Sequence, residues 1–322
     1  MLNSHNEINL PLVSIIIPCF NSEEYISECV ESALSQDYSN IEVIVVNDGS
    51  TDNSVNILKK IKGINLYTQK NSGACVARNF GLSKSKGKYI KFLDSDDFLA
   101  PHAISTQVKI SETLSPYTIV YGDYYELRDG TATYQSLYKP YTNQTSNLIM
   151  SYILTTSPLH RRWMLEKIGG FDERFKNGQE WNLHIRLSSE GFIFHHHKLP
   201  IHTYRIHHSP DRISVQKNND TNKLLYAASK AEMTLEKIAN NYSGDVNAAF
   251  AYRFWNIARQ LYLAGDRENY KIYLHKSKAL TPDYQKFWTK KRQLLHKALG
   301  FELSTRVSKI YSKLRKSSDK FI

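Results

Sequence analysis

No stretch of this sequence stays apolar long enough to cross a bilayer. The longest apolar run near the start, residues 13–20, is broken by Ser14 and Pro18 and falls far short of the ~20 residues that a membrane helix needs. The first ten residues are polar and show neither the basic start nor the apolar core of a secretory signal. The expectation is therefore a cytoplasmic placement. Cysteine is scarce: Cys19, Cys29 and Cys75 make an odd count without short metal-type spacing, which excludes a disulfide-stapled scaffold and fits buried, reduced thiols. The glycine-rich lysine motif of P-loop NTPases is missing too.

What remains is an ordinary globular composition with a lopsided charge. At 322 residues the chain exceeds what one compact domain usually needs, so two units are expected. From residue 217 onward there are 21 Lys and Arg against 9 Asp and Glu, so the whole positive excess sits in the last third. Strand signals end at about the same place, and helical spacing takes over at Leu224, Ala228 and Ala231, then at Phe250, Phe254, Ile257 and Leu261. The sequence predicts an α/β domain over residues 1–216 and a basic α-helical domain over 217–322.

In the first hundred residues, short β-branched runs alternate with amphipathic segments, the pattern of a mostly parallel sheet covered by helices. Strands are expected at 13–17, 41–46, 64–69 and 88–93. Helices are expected at 51–61 and 74–85, with a first one capped by Ser22 and carrying Tyr25, Ile26, Cys29, Val30, Ala33 and Leu34 on its apolar face. A further helix after Pro101, a strand at 118–127 and a turn at Asp129-Gly130 follow.

Two clusters stand at the ends of these strands. Asn47-Asp48-Gly49-Ser50-Thr51-Asp52 brings a carboxylate and free helix N–H groups to one place, although Ser50 or Thr51 merely capping a helix explains it as well. Asp94-Ser95-Asp96-Asp97 puts three carboxylates in four residues, which repel one another unless a cation or hydrogen bonds neutralise them. Mg²⁺ or Mn²⁺ suits such oxygen ligands and stabilises a departing diphosphate; an exposed acidic turn is the plainer alternative. Open α/β sheets bind ligands at such strand ends.

The order and spacing of residues 13–21, 46–52, Asn71-Ser72-Gly73-Ala74 with Ala77-Arg78-Asn79, and 94–97 resemble family 2 glycosyltransferases with the GT-A fold. The similarity covers roughly residues 12–215. It implies a Rossmann-like nucleotide-diphospho-sugar transferase of the hexosyltransferase type, active in polysaccharide biosynthesis and inverting the anomeric carbon. A UDP-linked donor and a glycan or lipid-linked glycan acceptor are implied with it.

Carried over position by position, the resemblance puts Pro18, Phe20, Asn21, Asp48, Ser50, Arg78, Asp94 and Ser95 on the nucleotide, with Asp96 and His207 on the metal. Physically these assignments are sensible, since an aromatic ring stacks on a base, a carboxylate accepts a pyrimidine N–H and Arg offers a planar donor fork. His207 lies in Tyr204-Arg205-Ile206-His207, followed by Ser209 and Ser214, which is similar to the family's closing motif. Glu180 of Gly178-Gln179-Glu180-Trp181 stands where the family has an acidic residue before tryptophan, usually Asp; it is the expected general base, one methylene longer. Asp172 and Glu173 rank below it. Trp181, Gly169 and Gly170 are expected beside the sugars, and residues 155–162 near the acceptor.

His195-His196-His197 looks like a metal cluster, yet along a strand alternate residues face opposite ways, so a non-catalytic strand is expected. Between 286 and 316, Lys290, Lys291, Arg292, Lys297, Arg306, Lys309, Lys313, Arg315 and Lys316 alternate with Leu294, Leu299, Phe301, Val307, Ile310, Tyr311 and Leu314. Amphipathic helices of this kind suit an anionic membrane surface, making the protein peripheral at the inner face. A helical cap with a solvated basic face is the alternative. Nucleic acid is not an expected partner, because no recognition module accompanies the charge. Two function classes stay open: a metal-dependent transferase, and an inactive relative that binds a sugar nucleotide as a partner or scaffold. A nucleotidyltransferase is disfavoured by the missing N-terminal glycine-rich basic loop.

Overall fold

The computed structural model describes residues 10–138, 143–207, 221–238, 244–282 and 284–318. The chain forms two compact units, one of residues 1–144 and 152–215, the other of 145–151 and 216–322.

The first unit is built on a nine-stranded sheet. β1 (Val13–Cys19), α1 (Ile26–Leu34), β2 (Ile41–Asn47), α2 (Ser54–Leu58), β3 (Ile64–Thr68), α3 (Ala74–Lys84) and β4 (Tyr89–Phe92) follow the expected alternation. Their strands pair in parallel in the order β3-β2-β1-β4. Every residue of β1 is buried because the strand lies between β2 and β4 with helices on the sheet. Ile15, Ile17, Ile26, Val30 and Ala33 share one cluster, and each large aliphatic side chain there contributes about 1.5–3 kcal/mol by leaving water.

The second half of the sheet is mixed. β5 (Phe98–Leu99), α4 (Ala103–Thr113), β6 (Thr118–Arg128) and β7 (Thr131–Gln135) lead to α5 (Gln144–Met150), β8 (Pro158–Arg161), α6 (Arg162–Lys167), α7 (Gln179–Ser189) and the long β9 (Ile193–Ile206). β8 runs antiparallel between β4 and β6, while β9 is parallel to β6 and antiparallel to β5. The Asp129-Gly130 turn joins β6 to β7, with both residues at positive φ.

Two local expectations change. Ser22 does not cap α1: its hydroxyl donates to the Phe20 carbonyl and meets the Ser95 hydroxyl at 2.7 Å, and the helix begins at Ile26. The helix expected over 51–61 shrinks to five residues, and neither Ser50 nor Thr51 caps it; Asp52 accepts the Ser54 N–H instead. The cause is shared, since those hydroxyls and amides tie neighbouring loops together.

The three cysteines are buried and free. Burial raises the Cys19 and Cys75 thiols to about 11 and about 12, so they are packing groups rather than nucleophiles. The histidines of 195–197 point apart: His195 is exposed, His196 meets Asp123 at 2.7 Å, and His197 is buried against Gly122, where a Cβ would stand 2.6 Å from its ring.

The second unit is helical: part of α5, then α8 (Thr221–Ile238), α9 (Gly244–Ala264), α10 (Asn269–Leu280) and α11 (Lys290–Ser318), the last kinked at Gly300. Phe250, Phe254, Trp255, Leu261 and Trp288 are buried in it. Residues 208–220, with His208, Ser209 and Ser214, lie outside the described residues, as do the side chains from 311 on.

Candidate functional site

Three groups of side chains gather at the C-terminal ends of β1, β2 and β4. At the first, Asp48 follows β2 and is nearly buried. Its carboxylate accepts the Gln69 side-chain amide and the Ser72 N–H on Oδ1, and the Gly73 N–H on Oδ2, each at 2.8 Å. A carboxylate offers about four acceptor positions, so one remains for a ligand N–H. Nearby, Asn21, at φ 47, accepts the Thr51 N–H and donates its own N–H to Ser50 Oγ. Phe20 follows Pro18 and Cys19 of β1 and is 41% exposed, leaving a ring face for stacking.

The second group centres on Arg78 of α3, which is 5% exposed. Its guanidinium donates to Asp94 Oδ1 at 2.6 Å and to Gln179 Oε1. Burial works to lower its pKa, but the Asp94 charge and hydrogen bond outweigh burial and hold it above the ordinary value, with a smaller contribution from Glu180. Arg78 therefore links the strand end carrying Asp94 to the first residue of α7, and Glu180 is the next residue of that helix.

The third group ends β9. Asp96 Oδ2 and His207 Nε2 are 3.0 Å apart, and Tyr25 packs on the imidazole. Arg205 donates its backbone N–H to Asp97 Oδ1 and its Nε to the Asp96 carbonyl, and its guanidinium pairs with Glu28. Thr156 Oγ1 lies 3.4 Å from Asp97 Oδ2 and 3.5 Å from the Asp94 N–H.

The three carboxylates of 94–97 thus have different neutralisers. Asp94 has a fixed cation, and buried Asp97 accepts the Arg205 N–H and lies near the Thr156 hydroxyl. Asp96 faces the His207 imidazole. Among the described residues no three His, Cys, Asp or Glu side chains converge as a metal cage. The pair of Asp96 and His207 still fits Mg²⁺ or Mn²⁺ in kind, because such ions are commonly held by one or two protein groups with substrate phosphates completing the shell.

Glu180 sits half-buried in the first turn of α7, which opens after Gly178 in the left-handed region. Of the neighbouring acids, Asp172 receives two side-chain bonds from Arg174, which hold its pKa down, and Glu173 accepts from Asn79. Asn79 also exchanges hydrogen bonds with the backbone of Phe171. Gly170 lies beneath it, at φ 65 with Asn79 Oδ1 2.5 Å from where a Cβ would stand, so no other residue fits there without displacing that clamp. Gly169 has open space around it. Trp181 is buried at 5% exposure, which leaves almost no ring face for a sugar and matches a packing role.

Gln179, Arg205, Thr156 and Asn79 are the polar residues that motif reading left without a role. Gln179, Arg205 and Asn79 stand inside quoted motifs, so adjacency was a signal; Thr156 was marked only as part of the 155–162 stretch expected near the acceptor.

The family model described as glycosyl transferase family 2 matches residues 14–198. An uncharacterized glycosyltransferase of Haemophilus influenzae is 47% identical over 106 residues, 31% of this chain and 42% of that protein, so the match spans less than half of that relative's length. The UDP-Glc:alpha-D-GlcNAc-diphosphoundecaprenol beta-1,3-glucosyltransferase of Escherichia coli is 34% identical over 201 residues, 62% of this chain and 78% of that one. Among solved structures, residues 1–349 of S. aureus TarS in complex with UDP-GlcNAc superpose with a TM-score of 0.68 at 17% identity, covering 94% of this chain and 91% of that one.

Proposed function

This chain belongs to glycosyl transferase family 2 and is a glycosyltransferase with a GT-A-type fold, and from there we propose that it moves a hexosyl group from a UDP-linked donor to a hydroxyl of a glycan or lipid-linked glycan, inverting the anomeric carbon. The observation that carries the reading is the Arg78 bridge. One buried guanidinium ties Asp94, on the nucleotide side, to Gln179, the neighbour of the proposed base. The UDP-linked donors named for the E. coli and S. aureus relatives support the choice of nucleotide.

In this reading the uracil stacks on Phe20 and donates its N–H to the remaining acceptor position of Asp48. Pro18, Asn21, Ser50 and Ser95 shape the pocket around nucleoside and phosphates, and Asp94, oriented by Arg78, accepts from the ribose. Asp96 and His207 would hold Mg²⁺ or Mn²⁺, which supplies positive charge to the leaving diphosphate.

Glu180 takes the proton from the acceptor hydroxyl as its oxygen forms the new bond to the anomeric carbon. The old bond to the phosphate oxygen breaks on the opposite face, and the diphosphate leaves with the electron pair. In-line attack of this kind produces inversion. Asp172 is a poorer base because Arg174 holds its carboxyl below the usual range. Trp181 holds α7 in the core, and the backbone around Gly169 and Gly170 borders the acceptor.

The test is UDP-sugar turnover with Mn²⁺ added, in wild type, Asp96→Ala and Glu180→Gln. The expected result is loss in both variants, with UDP binding retained in Glu180→Gln. Equal rates in all three proteins remove the mechanism. UDP binding without turnover across a broad donor and acceptor screen favours the binding-only relative.

A further inference from the structure

The helical unit presents a face that its own packing leaves uncovered. α11 bends at Gly300, where φ is 67, into two limbs. On the second limb Phe301, Ser304 and Thr305 are buried, with the Phe301 ring against Trp255, Tyr262 and Tyr270 at 6.0, 5.9 and 5.7 Å. The positions facing away are Leu303, Val307 and Ile310, at 49, 37 and 59% exposure. Their i, i+4, i+7 spacing places them on one stripe. The limb therefore packs inward through Phe301, Ser304 and Thr305 and leaves an aliphatic stripe in water.

The first limb repeats the arrangement with more charge. Leu294 is 68% exposed, and Lys290, Lys291 and Lys297, all exposed, stand four and three residues before it and three after it, on the same face. Between 290 and 310 the only acid is Glu302, whose carboxylate accepts from the Tyr262 and Tyr270 hydroxyls. Arg306 and Lys309 add exposed positive charge beside the second stripe.

We propose that α11 is a docking surface for an anionic phospholipid bilayer, with Leu294, Leu303, Val307 and Ile310 entering the headgroup and acyl boundary and the lysines meeting lipid phosphates. Charge complementarity selects this occupant, since a lysine-rimmed apolar strip whose one acid is hydrogen-bonded to Tyr262 and Tyr270 suits a surface that is negative outside and hydrocarbon beneath. Nucleic acid fits the strip poorly, because the described residues at its centre are aliphatic and give base stacking no ring. The proposal is independent of the transfer chemistry.

The experiment is co-sedimentation of the full chain with phosphatidylcholine vesicles, with and without 30% phosphatidylglycerol, at 50 and 300 mM salt. Binding is expected only with the anionic lipid, weakening at high salt. Lys290→Glu/Lys291→Glu/Lys297→Glu should lower the partition by roughly two orders of magnitude, at several-fold per lysine. Leu303→Asp/Ile310→Asp should lower it at either salt concentration. UDP binding and circular dichroism, unchanged in both variants, certify that they fold. No binding to anionic vesicles at 50 mM salt, or equal binding by wild type and both folded variants, overturns the proposal. So does a concentration-dependent dimer in sedimentation that Leu303→Asp/Ile310→Asp abolishes, because the stripe would then face a second copy.

Discussion

At the parallel end of the sheet, the carboxylates expected to serve the nucleotide have protein partners: three donors for Asp48, and the Arg78 guanidinium for Asp94. At the mixed end, Glu180 stands half-buried in the first turn of α7, and the His207 imidazole just past β9 lies 3.0 Å from Asp96 Oδ2. The difference follows from the two tasks. A donor-binding edge gains from groups that are already oriented, since no ordering is then needed when the ligand arrives. A base has to take up a proton and release it, so it keeps access to acceptor and water. Substitution at the mixed end should therefore cost rate, and substitution at the parallel end should cost stability and nucleotide affinity.

The largest expected effect is at Glu180. Glu180→Gln should lower kcat by about 10²–10⁴-fold, the usual contribution of a general base, with the Kd for UDP and the Tm within error of wild type. A drop in UDP affinity of similar size would erase the distinction between the two ends. Next comes Asp94→Ala, which leaves a buried guanidinium without its anion; such losses run to about 3–5 kcal/mol, and thermal unfolding should show a fall in Tm together with weaker UDP binding in calorimetry. An unshifted Tm would mean that Arg78 is neutralised elsewhere.

Asp48→Ala should be milder, about 1–3 kcal/mol in all, because water can reach the part-buried donors it leaves, and it should raise the donor KM more than it changes kcat. A pH effect beneath the mixed half of the sheet is spread over four histidines. Burial holds His184 and His197 down at about 3 and about 4, and His160 and His202 well below their ordinary range. The unfolded chain binds those protons first, so stability is complete above about pH 6.5 and is lost as pH falls toward the folded values, by about 1.4 kcal/mol per pH unit for each histidine involved. Tm measured from pH 7.5 to 5 should decline, and His184→Phe should flatten the slope; an identical slope in the variant would assign the acid sensitivity to other groups.

Legibility in the sequence divided along the same line. The order of the first four strands, and the position of Asp94 just past the fourth, could be read because each parallel strand and its helix are neighbours in the chain, with apolar periodicity reporting both. Ser22 misled because a hydroxyl ahead of an apolar stripe signals a cap, whereas Ser95, 73 residues away, competes for it. The cluster of three acids suggested a shared cation. Which acid keeps a ligand role depended on Arg78 and Arg205, whose reach no spacing reveals.

By itself the amino-acid order determined the alternating α/β start, the helical and basic last third, and the family motifs, because these depend on period, turn chemistry and residue type within a few positions. Only the folded chain decided that β8 inserts antiparallel between β4 and β6, that one guanidinium joins Asp94 to α7, and that Trp181 turns inward while Phe20 stays exposed. Those outcomes come from contacts between residues tens of positions apart, where packing and the pairing of buried charge select a single arrangement.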